Sequence, residues 1–354
     1  MAEGDRTRES PGSRDPAHLR VRAGAGHGTV HGVRQLTSFV DVHAHNFPVL
    51  SAAEREAEHA WLTANRFTGP PAPEWVAETA LAFMDAHGIA LQLLSMPMDV
   101  PAERARAIND RGAAVAAAMP DRFGFLATIP AGDPRAVDEI RRAADELGAD
   151  GFVMSTNTGG TYFGDPIYDT VFAELDRRHA PVFVHPSAPA GLDLTACGRP
   201  GPVLEFVFDT PRTVADAVFA RVFERYPNMK MILAHGGGAL PAVWARVAAL
   251  GPMPWVPNPL GVTADDVTAQ FAGLYFEMAN AAHSVGPLLD FTTADHILFG
   301  FDYPLSDMKV HEDYLRDFLN STALDDEEFA AITANTVAVF PTLSARLSDR
   351  VTAS

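Results

Sequence analysis

Ile89-Ala90-Leu91-Gln92-Leu93-Leu94-Ser95-Met96 is a short apolar run, and the segment after it, Ala102 to Ala118, has helical character. A run of this length with so few polar breaks is the pattern of a strand buried on both faces of a parallel sheet. The same unit repeats downstream. Phe123 to Ile129, Gly151 to Ser155, Pro181 to His185, Lys230 to His235, Leu274 to Met278 and His296 to Phe301 read as strands. The segments between them, Pro134 to Leu147, Pro166 to Arg178, Val203 to Tyr226, Pro241 to Leu250 and Val285 to Thr293, read as helices. Two more helices are expected near Asp313 to Leu319 and Asp326 to Phe340. Upstream, Phe39 to His45 reads as the first strand. A long excursion from Asn46 to Pro73 follows, with a helical piece at Ala52 to Asn65. Connections this long are usually functional or flexible. Pro73-Glu74-Trp75-Val76 then starts a helix running to about His87, with Val76, Ala80, Phe83 and Met84 at helical spacing.

Eight strands, each followed by helical sequence, predict an α/β protein built as a single (β/α)8 TIM barrel. A doubly wound open sheet is the competing architecture. The barrel is preferred because polar residues collect where its strands end. The expected boundaries are a disordered tail over 1–37, the barrel over 38–345 and a short tail over 346–354. His18, His27 and His31 fall in the first tail and are expected to be solvated.

Composition narrows the function. The net charge of −18 argues against a nucleic-acid partner, which needs a basic footprint. No apolar run approaches the roughly 18 residues of a membrane span, and no secretory signal is expected. Cys197 is the only cysteine, so an internal disulfide and a cysteine zinc site are both excluded. A cytoplasmic setting fits.

The chemistry sits at the strand ends. His43 and His45 are two apart on the first strand and so share a face, while Val40, Val42 and Ala44 are expected to pack the other. The fifth strand ends in His185-Pro186, the sixth in His235-Gly236-Gly237-Gly238 and the eighth in Asp302-Tyr303-Pro304. Barrel enzymes place their sites at these C-terminal ends. Imidazole and carboxylate ligands suit a divalent first-row metal such as zinc, manganese, iron or cobalt.

Together these motifs resemble the amidohydrolase superfamily, in its aminocarboxymuconate-semialdehyde decarboxylase-related branch. Leu204-Glu205-Phe206, Asp209-Thr210-Pro211-Arg212 and Tyr226-Pro227-Asn228 are similar to its 6-methylsalicylate decarboxylase-like members. The resemblance covers about Phe39 to Phe340. It implies that His43, His45, His185 and Asp302 hold one divalent metal ion, zinc first and manganese as the alternative. It makes His235 and Asp302 the catalytic pair. It implies non-oxidative decarboxylation of a small aromatic or conjugated carboxylic acid, and a homodimer.

Many superfamily members bridge two metals with a carbamylated lysine at the end of the fourth strand. That strand here ends in Ser155-Thr156-Asn157, and the only lysines are Lys230 and Lys309, so one metal is expected. Three positions depart from the family pattern: Phe301 for a small residue, Glu277-Met278-Ala279 in the seventh strand, and Gly238 where some resorcylate decarboxylases carry Glu. Arg246 is the candidate partner for the substrate carboxylate, with Arg55 and Arg66 as weaker candidates and Arg212 expected in an ion pair. Phe47, Trp61 and Phe67 are candidates to cover a ring. The rival readings are a metal-dependent hydrolase of a lactone, ester or amide on the same barrel, and a non-catalytic binding barrel.

Overall fold

All seven residues of β1 (Phe39–His45) are buried, and so are all seven of β2 (Ile89–Ser95). Six more strands continue the sheet: β3 (Phe123–Thr128), β4 (Gly151–Ser155), β5 (Pro181–His185), β6 (Lys230–Leu233), β7 (Tyr275–Glu277) and β8 (Ile297–Leu298). They lie in the order β1 to β8, and every pairing is parallel. The computed structural model describes residues 39–47, 51–64, 74–305, 308–344 and 346–347. The expected tail over 1–37, with its three histidines, lies outside the described residues, as do Arg66, Phe67 and residues 348–354.

β8 is only two residues long, yet the chain beyond it seals the barrel. Val42 N donates to Phe299 O (3.1 Å), Asp302 N to His43 O (2.8 Å) and His45 N to Tyr303 O (2.7 Å). The sheet therefore closes on itself and leaves no free edge. Inside, Val40, Val42, Leu91, Leu93, Leu126, Val153, Phe183, Ile232 and Leu298 form one cluster. Val339, Phe340 and Leu343 join it from the end of helix α13 (Asp326–Val339). A second, larger cluster fills the space between the strands and the surrounding helices.

Helices α1 (Ala52–Ala64), α2 (Ala77–Ala86), α3 (Ala102–Ala118), α4 (Ala136–Asp145) and α5 (Asp169–Arg177) match expectation to within a few residues. Trp75 lies ahead of α2 and packs in the core instead of extending that helix. The single helix expected over Val203 to Tyr226 is α7 (Glu205–Phe219) followed by a separate turn α8 (Val222–Arg225), with short α6 (Leu192–Thr195) before them. Arg221 breaks the run by adopting a left-handed φ of 53°. After α9 (Leu240–Leu250) comes α10 (Ala264–Ala272), a helix additional to those expected from the sequence. It is started by a capping box in which Asp266 N donates to Thr263 Oγ1 (3.1 Å) and Thr263 N to Asp266 Oδ2 (2.9 Å). The next helix, α11, covers only Val285–Leu288 of the expected Val285–Thr293, and α12 spans Met308–Leu319.

Two stability predictions follow from this packing. Phe340 is fully buried at the closed end of the barrel, so Phe340→Ala should lower the unfolding free energy by about 3–5 kcal/mol in chemical denaturation. A loss below about 1 kcal/mol would show that α13 does not plug the barrel. Glu174 on α5 is bonded by Arg177 (2.6 Å) and Arg178 (2.8 Å). These partners, Arg177 foremost, hold its carboxyl down to about 2 from an ordinary value of 4.5. A depressed folded pKa gives stability that is present above the unfolded value and fades as pH falls through the folded one. Glu174→Gln should therefore destabilise the protein at pH 7, and the difference from the parent should shrink between pH 4.5 and about 2. A difference constant across that window would refute the assignment.

Candidate metal centre

The site begins with an irregularity in β1. Asp41 pairs with Gln92 and Ala44 with Leu94, so Val42 and His43 together face the single residue Leu93. An extra residue of this kind bends a strand and re-aims the side chains beyond it. Val40 and Val42 join the interior cluster, while Ala44 packs outside with Phe39. This corrects the expected face for Val40 and Val42: the bulge gives the barrel interior both valines and both histidines. His43 accordingly meets the interior residue Phe183, with ring centroids 4.9 Å apart.

Asp41 holds the bulge. Its Oδ1 accepts from His43 N (3.0 Å) and from Phe301 N (3.0 Å), and its Oδ2 from Gln92 Nε2 (2.9 Å). One carboxyl group thus ties β1, β2 and the end of β8 together. Its burial pushes its pKa up to about 7.

Four histidines and Asp302 converge above this clamp. His43, His45, His185 and Asp302 are all buried, and each offers a ligand atom within 4.8 Å of the others. The ring nitrogens are sorted by their partners. His43 Nδ1 faces Glu277 Oε2 (2.7 Å) and His45 Nδ1 faces Ser95 O (3.2 Å). His185 Nδ1 faces Pro186 O (2.8 Å), and His235 Nδ1 faces Ala279 O (3.0 Å). Every one of these partners is an acceptor, so each Nδ1 carries the hydrogen. The four Nε2 atoms are left as donors of lone pairs. His43 Nε2 and His185 Nε2 are buried without a hydrogen-bond partner, and Asp302 Oδ1 lies 3.2 Å from the first and 2.9 Å from His45 Nε2. Orphaned lone pairs facing a carboxylate in a dry pocket are the arrangement a divalent cation completes.

Electrostatics agree. Burial and the neighbouring His43 hold His185 neutral, its pKa well below the ordinary value. Burial opposes charge on Asp302, but His43 and His45 outweigh it and keep the carboxyl well below the usual range. Burial also opposes charge on His43, yet Glu277 and Asp302 on either side raise its pKa to about 10.

Backbone conformation positions two of these residues. His235 and Asp302 adopt left-handed φ values of 55° and 64°. Such strain in non-glycine residues concentrates at functional sites. Beside His235, a Cβ on Gly238 would come within 2.3 Å of Val207 O, so no side chain has room there. Gly300 leaves space for Glu277, since a Cβ there would lie 2.4 Å from Glu277 Oε1.

Glu277 is the functional residue that sequence reasoning missed. It is fully buried on β7, accepts from His235 N (3.3 Å), and orients His43. The signal was there: an acid ending an apolar strand inside a barrel has few reasons to exist without a partner. Phe301, another departure from the family pattern, points outward to Phe83 and Tyr314 and leaves the site untouched.

The centre opens on a cavity of about 440 Å³. Phe47, Met96, Met98, Pro186 and Phe206 supply apolar walls, and Ser155, Asn157 and Ser187 supply polar points. Phe47 stands 5.9 Å from His45, ring to ring. α1 contributes Leu62, while the side chain of Trp61 lies outside the described residues. Arg246 is exposed on α9 and is not among the lining residues. Arg55 pairs with Glu74, and Arg212 lies 3.7 Å from Glu205 and 3.8 Å from Asp209. Lys230 Nζ donates to Ala338 O (2.8 Å) and Lys309 pairs with Asp313 (2.5 Å), so neither lysine serves the centre.

The closed parallel barrel and its histidine–aspartate pocket define a metal-dependent barrel enzyme. Residues 40–338 match the amidohydrolase family, and the chain belongs to it. A 6-methylsalicylic acid decarboxylase of Penicillium expansum is 30% identical over 309 residues, 81% of this chain and 91% of the relative. A crystal structure described as amidohydrolase II is 30% identical, with a TM-score of 0.73 over 88% of this chain and all (100%) of the other. A dihydroxybenzoic acid decarboxylase from Polaromonas, solved with manganese, shares the fold at 20% identity and a TM-score of 0.70, over 88% and 99% of the two chains. Among the described residues, no helix is long and apolar enough to cross a membrane.

If Glu277 fixes the His43 tautomer, Glu277→Ala should weaken divalent-metal affinity about 10–100-fold in chelator competition. Unchanged affinity would show that His43 is oriented by something else.

Proposed function

We propose that the protein is a mononuclear metal-dependent decarboxylase of a salicylate-like aromatic acid. The observation that carries the reading is the buried cluster His43, His45, His185 and Asp302, which reaches through His45 and His185 a mostly apolar cavity of ring-accepting size. The named activity of the Penicillium relative, aligned along most of its length, supports the same reaction. Zinc is the first candidate on ligand chemistry; the manganese in the Polaromonas enzyme makes that ion the second.

His43, His45, His185 and Asp302 would hold the cation, which would supply Lewis-acid charge for an anionic substrate. The residues do the rest. Phe47, Met98 and Phe206 cover the ring and exclude water. Asp302 starts ionised, so it can take the proton of the ring hydroxyl as substrate binds. It then passes that proton to the carbon bearing the carboxylate. The C–CO2 bond breaks, its electron pair returns to the ring, and CO2 departs. The product phenolate regains a proton from solvent. His235, held by Ala279 O through Nδ1, presents Nε2 to the substrate and orients it.

Metal-loaded protein should release CO2 from members of a salicylate panel, and chelation should abolish the release. Asp302→Ala and His235→Ala should each lower kcat/KM by about 100-fold or more. Hydrolysis of lactones or esters with no CO2 release would reverse the reading.

A further inference from the structure

The wall joining the ends of β4 and β5 contains a chain of polar groups that the reaction above does not use. At its root is Asp209 on α7, fully buried. Tyr162 Oη donates to its Oδ1 (2.7 Å), and Asn157 Nδ2 to its Oδ2 (2.8 Å). The Thr156 hydroxyl also donates to Oδ2. With three donors converging on it, Asp209 accepts throughout.

Thr156 has one hydroxyl hydrogen, and Asp209 holds it. Its oxygen can then only accept, and Ser187 N donates to it (3.0 Å). Ser187 Oγ lies 3.1 Å from that same oxygen. With no hydrogen left on Thr156, Ser187 must be the donor of this bond. Asn157 Nδ2 lies 3.0 Å from Ser187 Oγ, and the amide is oriented by Gly160 N donating to its Oδ1 (2.9 Å). Ser187 thus gives its hydrogen back into the wall and accepts from Asn157 Nδ2 a hydrogen that the amide shares with Ala188 O (3.2 Å). Ser187 and Asn157 both line the cavity. What Ser187 shows a bound molecule is a lone pair.

We propose that Ser187 is a specificity-determining residue that accepts a hydrogen bond from a hydroxyl on the substrate ring, with Thr156 and Asp209 as positioning residues that fix its polarity. The inference takes its substrate class from the aromatic-acid reading above. A hydroxyl locked as an acceptor favours a donor and disfavours groups with only lone pairs. It therefore turns a carboxylate or methoxyl away. His185 and Ser187 lie two residues apart in the chain, and His45 lines the same cavity. Repelled at Ser187, the carboxylate is directed to the imidazole end and the extra hydroxyl to the serine.

The test compares salicylates carrying hydroxyl, methoxyl or methyl at each remaining ring position. Both kcat/KM and inhibitor Kd are measured on the manganese-loaded enzyme. At one position, hydroxyl should be preferred to methoxyl by about tenfold or more, the worth of one hydrogen bond. Ser187→Ala should erase that preference and leave the ratios at other positions unchanged. Thr156→Val removes the acceptor that holds the Ser187 hydrogen and should also flatten the ratio, while Thr156→Ser should keep it. CO2 release whose hydroxyl preference survives both Ser187→Ala and Thr156→Val would overturn the inference. If no member releases CO2 but Kd still shows a Ser187-dependent preference, the reaction falls and the subsite stands.

Discussion

Asp302 N donates to His43 O across 2.8 Å, and this bond serves two purposes at once. It belongs to the seam where the end of β8 meets β1 and the barrel closes. It also sets the Asp302 carboxylate against the His43 imidazole from the opposite end of the sequence. Asp41 reinforces the same seam by accepting from the backbone of His43 and of Phe301. Barrel closure and the metal pocket are therefore one structural event. A chain that failed to close would lack the site, and a disturbance of the β1 bulge would misdirect His43 before it altered the fold elsewhere.

The pocket is built to remain charged while dry. Burying ionisable groups is unfavourable unless each is paired. Here every Nδ1 is tied to an acceptor, so the rings cannot turn to satisfy themselves locally. The lone pairs and the Asp302 carboxylate are left facing one another. Glu277 and Asp302 on either side of His43 concentrate negative charge there and raise its pKa to about 10, against the effect of burial. A divalent cation suits such a pocket, because one ion engages several lone pairs together. The strained φ values at His235 and Asp302 fit a site whose geometry is imposed by its surroundings.

Much of this was legible in the sequence, and the misses have physical causes. Apolar runs ending in histidine or aspartate located the strands and brought His43, His45, His185 and Asp302 to one end, because parallel strands are buried on both faces and barrel chemistry sits at one end. A period of two could not place Val42 and His43 on the same side, since a bulge leaves no mark in composition. Glu277 escaped because its role runs through His43 and not through the ligand shell. α10 was overlooked because the Pro- and Gly-containing segment just before it masks the start that Thr263 and Asp266 provide. Arg246 has the right charge and lies on the helix after the His235 turn, but it faces solvent. The polarity of Ser187 leaves no mark in the sequence, for it depends on Thr156 and Asn157 beyond β4 and on Asp209 of α7, which only the fold brings together.

Anomalous diffraction from crystals of the manganese-loaded protein tests the central claim most directly. The account predicts one peak per chain, bounded by the Nε2 atoms of His43, His45 and His185 and by Asp302. Two peaks, or a single peak away from these four residues, would contradict it.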